Sequence, residues 1–124
     1  MRKLVVLVGL VAMLATGATS TAATRGSVPP FPNLEGKWSH ADINVKINRK
    51  PHTVTLDRGR ITQVSATQLT LRESDGSAFV IPLTSFAIVR IYNTPATIFQ
   101  LRRGMNAMTM RIDGGPAVRI RVQR

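Results

Sequence analysis

His40 and Asp42, with His52 and Asp57 downstream and Trp38 close by, are the grouping of metal-ligand type in this sequence. Imidazole and carboxylate bind first-row metals, and two imidazoles plus a carboxylate can hold zinc or iron with positions left open. On a strand, the His40-x-Asp42 spacing puts both side chains on one face, where a His–Asp hydrogen bond would respond to pH. Nothing in the sequence brings the other two residues there. His52 follows Pro51 in what reads as a connector, and Asp57 stands two before Gly59, where Asp serves a turn. Asp75 and Asp113 precede glycine in the same way, and Glu73 edges the Asp75 hairpin. The expectation is no catalytic residue and no cofactor, with His40, Asp42 and His52 as the metal candidates. Cysteine is absent, which removes disulfides, thiolate zinc sites and thiol nucleophiles. There is also no phosphate-cradling glycine loop, serine elbow or His-Glu-x-x-His.

Positive charge is the stronger feature. Lysine and arginine number 17 against 6 acids, a net charge of +11. Beyond residue 23 the only lysines are Lys37, Lys46 and Lys50, so the excess is arginine, whose guanidinium suits phosphate and carboxylate. Arg111, Arg119 and Arg121 alternate with apolar residues of a C-terminal hairpin. That alternation predicts one shared outer face with Arg124 at its end, extended by Arg102 and Arg103 beside Gly104. Lys46, Arg49 and Lys50 form a second, shorter cluster. Such a face is either an anion-binding surface or a solvated one that keeps the protein soluble.

The elements that would position these residues are strands. Ile43, Val45 and Ile47 alternate with polar residues, as do Leu69 and Leu71, Met108, Met110 and Ile112, and Val118, Ile120 and Val122. Val54 and Leu56 follow a Pro51-His52 break, and Phe79, Ile81, Leu83, Val89 and Ile91 continue the pattern. Turn chemistry is expected at Asp57-Arg58-Gly59, Ser74–Ser77, Asn93-Thr94-Pro95 and Asp113–Pro116. Thr97 to Arg103 reads as a single helical turn closed by Gly104. The fold class is all-β: a small, partly open barrel of five to six strands, OB-like, over residues 38–124.

Before it lie two segments. Arg2 and Lys3, the apolar run Leu4–Ala15 and the small residues Thr16–Ala23 make a signal peptide over residues 1–23, with cleavage after Ala22 or Ala23. The apolar run falls short of the roughly 20 residues a spanning helix needs. Residues 24–37, with Gly26, Pro29, Pro30 and Pro32, read as an extended linker.

From Asp57 to Gln123 the chain resembles an uncharacterised class of small exported bacterial domains with an OB-like β-barrel. The residues that carry this are Gly59-Arg60-Ile61-Thr62-Gln63-Val64-Ser65, Leu69-Thr70-Leu71-Arg72, Asp75-Gly76-Ser77, Leu101-Arg102-Arg103-Gly104-Met105 and the last hairpin. The resemblance implies the fold and an exported location, and carries no activity.

Three function classes follow. The first is a non-enzymatic binding or structural module of the bacterial cell envelope, contacting an anionic polymer, an anionic lipid or another envelope protein. The second is a nucleic-acid-binding module, disfavoured because the basic hairpin has no aromatic platform and export removes the partner. The third is a metal-dependent enzyme using the His40/Asp42 region. The leader makes a direct prediction: protein recovered outside the cytoplasm begins at residue 23 or 24 by mass spectrometry. A detergent-extracted species still carrying Arg2 and Lys3 would make the segment an anchor instead.

Overall fold

Alternating side chains make this chain a sheet, and the placement of its turns decides how the strands pair. The computed structural model describes residues 28–124; the expected leader and its cleavage positions lie outside them. The described residues hold eight strands and one short 3-10 helix: β1 (His40–Ile47), β2 (Lys50–Val64), β3 (Gln68–Arg72), β4 (Ala78–Pro82), β5 (Ile88–Ile91), β6 (Thr94–Ala96), a 3-10 turn (Ile98–Gln100), β7 (Asn106–Ile112) and β8 (Ala117–Gln123). The all-β expectation holds. The count of five or six strands does not: Val89 and Ile91 do lie in a strand, β5, but the three residues of β6 show no alternation and two of them were expected in a turn.

All eight strands join one sheet in the order β4-β3-β2-β7-β8-β5-β6, with β1 paired to β2 off that path. The end strands β4 and β6 do not pair, so the sheet is not closed. Most pairs are antiparallel, but β5 runs parallel to β8. Ile81 of β4 and Val89 of β5 nevertheless share one buried cluster with Ile61, Leu69, Leu71, Leu101, Ile120 and Val122. Five strand steps of about 4.8 Å separate β4 from β5 in a flat sheet, so the sheet curls to bring them together.

The opposite face buries a second cluster of Val54, Leu56 and Met110, with Ala41, Ile43, Val45, Ile112 and Val118 packed against it. Phe31, Leu34 and Trp38 also pack there. Part of the segment expected to be an extended linker therefore lies on the sheet, because its apolar side chains cover a face that would otherwise be wet.

Three turns differ from expectation. Asn93-Thr94-Pro95 is one, since its Thr94 and Pro95 are strand residues of β6 and the chain turns at Tyr92-Asn93. The other two involve β1 and β2. β1 and β2 are joined at Asn48-Arg49, both with φ above 50°, the signature of a tight two-residue hairpin turn. Pro51 is thereby a strand residue, opposite Lys46, rather than a break. Asp57-Arg58-Gly59 is no turn at all: it lies mid-strand in β2, flanked by β1 and β7 on its two edges. The expected helical turn exists as Ile98–Gln100; Ile98 and Leu101 face inward and Phe99 faces solvent.

β2 pairs with β1 through Lys50–Asp57 and with β3 through Arg60–Val64. At the changeover the backbone of β3 passes directly over Gly59. A Cβ at Gly59 would lie 2.4 Å from the Arg72 carbonyl oxygen and 3.2 Å from the Glu73 Cα. Those are backbone atoms, so the strand itself would have to move. Gly59→Ala should therefore cost a few kcal/mol, read as a lowered midpoint in urea denaturation. A neutral result would mean that β3 shifts freely at Arg72.

Candidate functional site

The close pass over Gly59 brings three strands to one point. His40 opens β1, Asp57 is in the middle of β2, and Glu73 follows the last residue of β3. One ligand-capable atom from each lies within 4.8 Å of the others. Asp57 and Glu73 are 1% and 3% exposed, the only acids buried among the described residues. His40 Nδ1 meets Asp57 Oδ1 at 2.7 Å and its Nε2 meets Asp42 Oδ2 at 3.3 Å. The imidazole also stacks on Phe79, with ring centroids 5.8 Å apart and planes inclined by 13°. Thr55 Oγ1 donates to Asp42 at 2.7 Å.

The electrostatics follow from this packing. Burial, and then the hydrogen bond and charge of Asp57, push the Glu73 carboxyl up to about 7; Ser39 and His40 pull weakly the other way. The hydrogen bond to Asp57 holds the His40 imidazole above its ordinary range, against desolvation, with Asp42 adding to it. The Asp42 carboxyl is lowered, first by Thr55 and then by His40. Two buried carboxyls side by side cannot both ionise without a compensating charge. Glu73 Oε2 is buried with no hydrogen-bond partner among the described residues.

Of the metal candidates, His40 and Asp42 come together and His52 does not. His52 is paired with Val45, which packs into the second cluster, and its ring bonds Asp113 at 2.5 Å. Asp113 also accepts the Thr53 N–H at 2.9 Å, and that bond, then His52, lowers its carboxyl. Asp57 and Glu73, assigned to turns from the sequence, are the residues that complete the cluster. Their signal was faint: a strand through Asp57 would have required seeing that Gly59 serves a crossing rather than a bend.

The arginines are also redistributed. The β7–β8 register pairs Met108 with Arg121 and Met110 with Arg119, so these arginines share the face of the methionines, and Arg111, next to Met110, points the other way. Arg111 therefore lies on the opposite face from Arg119 and Arg121, and the expected shared face does not form. Arg111 instead donates to the carbonyls of Gly114 and Gly115 in its own turn. Arg121 is half-buried over the Phe31 ring, 4.9 Å from its centroid. Arg102 donates to the Phe99 and Leu101 carbonyls, and Arg103 is exposed.

A different basic site appears where the end of β3, the start of β7 and the end of β8 meet the middle of β2. A cleft of about 670 Å³ is lined by Lys37, Arg58, Arg60, Arg72 and Arg124, with Trp38, Asn106 and Gln123 and with Glu73 as its only acid. Arg58 donates twice to the Trp38 carbonyl, at 3.0 and 2.7 Å, and lies over the Trp38 ring. Arg72 donates to the Gly76 carbonyl, and Arg124 lies over Tyr92. Arg60 and Arg72 face one another across β2 and β3.

The raised Glu73 and His40 groups fix a sign for pH dependence. Each binds its proton more tightly in the folded chain than in the unfolded one. The stability so contributed is complete below the unfolded value, 4.5 for Glu73, and is lost as pH rises through about 7. In metal-free buffer, stability should thus fall by up to about 3 kcal/mol between about pH 4 and pH 8. Glu73→Gln, a permanently neutral isostere, should flatten most of that slope in urea denaturation. An equally steep slope in the variant would assign the dependence to other groups.

No protein-family model, no curated protein and no solved structure matches the chain, so the chemistry of the site rests on the geometry of these residues.

Proposed function

We propose that the protein is an exported, non-enzymatic binding module of the cell envelope that takes a phosphate-bearing anionic component in the basic cleft. The observation that supports this is the state of the cleft's cations. None of Lys37, Arg58, Arg60, Arg72 and Arg124 forms an ion pair with a carboxylate among the described residues. Carbonyls and aromatic rings hold Arg58, Arg72 and Arg124 in place, which orders the guanidinium groups without neutralising them. Like charges directly opposite on neighbouring strands, as in Arg60 and Arg72, are unfavourable, and an anion between them offsets that cost. Guanidinium is also the side chain best matched to phosphate oxygens.

The leader read from the sequence supports the exported location, and the lack of any catalytic motif supports binding over catalysis. A single-stranded nucleic acid fits less well. It needs open aromatic platforms, and Trp38 and Tyr92 near the cleft each lie under an arginine.

The source of the phosphate is open to direct test. Purified full-length chain is offered phosphatidylglycerol vesicles and, separately, a soluble poly(glycerol phosphate). Binding to one of them should fade with salt as screening shortens from about 10 Å at 0.1 M to about 3 Å at 1 M. Replacing Arg60 and Arg72 together by Ser should weaken it by about 2 kcal/mol, roughly thirtyfold. Arg103→Ser, outside the cleft, should change it little. Equal losses from both replacements would make the charge a diffuse solubility feature and end the cleft reading.

A further inference from the structure

The buried cluster poses a question that the anion cleft does not answer. Asp57 and Glu73 bring two carboxyls out of water against one imidazole, in a chain that is otherwise rich in arginine. Among the described residues, no arginine or lysine pairs with either. Such a pair is tolerated in two ways: a proton is retained on one carboxyl, or a cation sits between them. Glu73 fits the first when no cation is present, and the cluster has features of the second as well.

Glu73 Oε2 is buried and unpartnered among the described residues, an acceptor with its hydration removed and nothing in its place, which is costly. His40 is oriented as metal-bound histidines are. Its Nε2 lies on the Asp42 carboxylate while its Nδ1 points at Asp57, so with Nε2–H donated to Asp42 the Nδ1 lone pair faces the two buried carboxylates. A carboxylate behind the imidazole fixes the tautomer and raises ligand basicity. Thr55 in turn holds Asp42. A neutral imidazole and two carboxylates carry a charge of −2, which a divalent ion cancels.

We infer that His40, Asp57 and Glu73 hold a divalent transition-metal cation, with Asp42 as the positioning residue behind His40. Zinc is the reference ion: mixed nitrogen and carboxylate donors suit it, and three protein ligands leave a fourth position open. Calcium and magnesium want more oxygen donors than this site supplies. Zinc bonds of about 2.0–2.2 Å at tetrahedral angles set donor atoms roughly 3.3 Å apart, so His40 Nδ1 and Asp57 Oδ1, now 2.7 Å apart, must separate to admit the ion. The ion then replaces the His40–Asp57 hydrogen bond. The inference does not depend on the anion reading, since none of the cleft's arginines takes part.

The test uses purified full-length chain stripped with a chelator and titrated with Zn²⁺ alone by calorimetry. One equivalent should bind, and Co²⁺ in its place should give visible ligand-field bands of a low-coordinate site. His40→Gln and Glu73→Gln should each weaken Zn²⁺ binding more than tenfold. Asp42→Asn should weaken it by about tenfold or more through His40 alone. His52→Gln, at the other His–Asp pair, should leave it unchanged. Glu73→Gln keeps the shape of a protonated glutamic acid, so its folding can be verified by circular dichroism alongside. The inference is overturned if the stripped chain takes up no Zn²⁺. It is equally overturned if uptake survives Glu73→Gln and is lost with His52→Gln.

Discussion

One edge of β2 serves two partners, β1 along its first half and β3 along its second, and the handover is possible only where a residue has no side chain. Gly59 is that residue. With its Cβ position 2.4 Å from the Arg72 carbonyl oxygen, any other residue would force β3 outward. The carboxyl of Glu73 would move with it, away from Asp57. The same crossing places the middle of β2 and the ends of β3, β7 and β8 around the cleft. The acid–histidine cluster and the arginine cleft are therefore two consequences of a single backbone approach, and Glu73 borders both.

The sequence made some of this legible and hid the rest for physical reasons. Period-two alternation marks strands because one face of a strand is buried, so β1, β3, β7 and β8 were visible. Strand number was not, since β6 has three residues, too few to alternate, and begins within an expected turn. Asp57-Arg58-Gly59 looks like a turn because Asp and Gly favour turns. Sequence alone does not separate a glycine that bends the chain from one that admits a neighbouring backbone. The arginine face failed for a different reason. Alternation within each strand is preserved, but the register pairs Met108 with Arg121 and Met110 with Arg119, so Met110 and Ile120 pack into clusters on different faces, and a one-residue difference in register exchanges the faces.

His40 and Asp42 were legible as a same-face pair because their spacing alone dictates it. Their partners were not, because they come from 17 and more residues away and depend on how three strands converge. His52 shows the converse. It has the right chemistry and lies close in sequence, yet the register sets it beside Val45 and its ring turns to Asp113.

The distribution of acids explains why the cleft's arginines form no ion pair among the described residues. The chain has 6 acidic residues for 17 basic ones, and the fold commits nearly all of them. Asp42 and Asp57 bond His40, Asp113 bonds His52 and the Thr53 amide, Asp75 caps its own turn through Ser77, and Glu73 is buried. That leaves Glu35. Arginine side chains must therefore be held by groups without charge, and the carbonyls of Trp38, Gly76, Leu101 and Gly114 do this. A hydrogen bond to a carbonyl fixes a guanidinium but leaves its field intact, whereas a carboxylate would cancel it at distances beyond a few ångströms. Directing the acids toward histidines and turns thus keeps the positive potential of the cleft available to a partner from outside the chain.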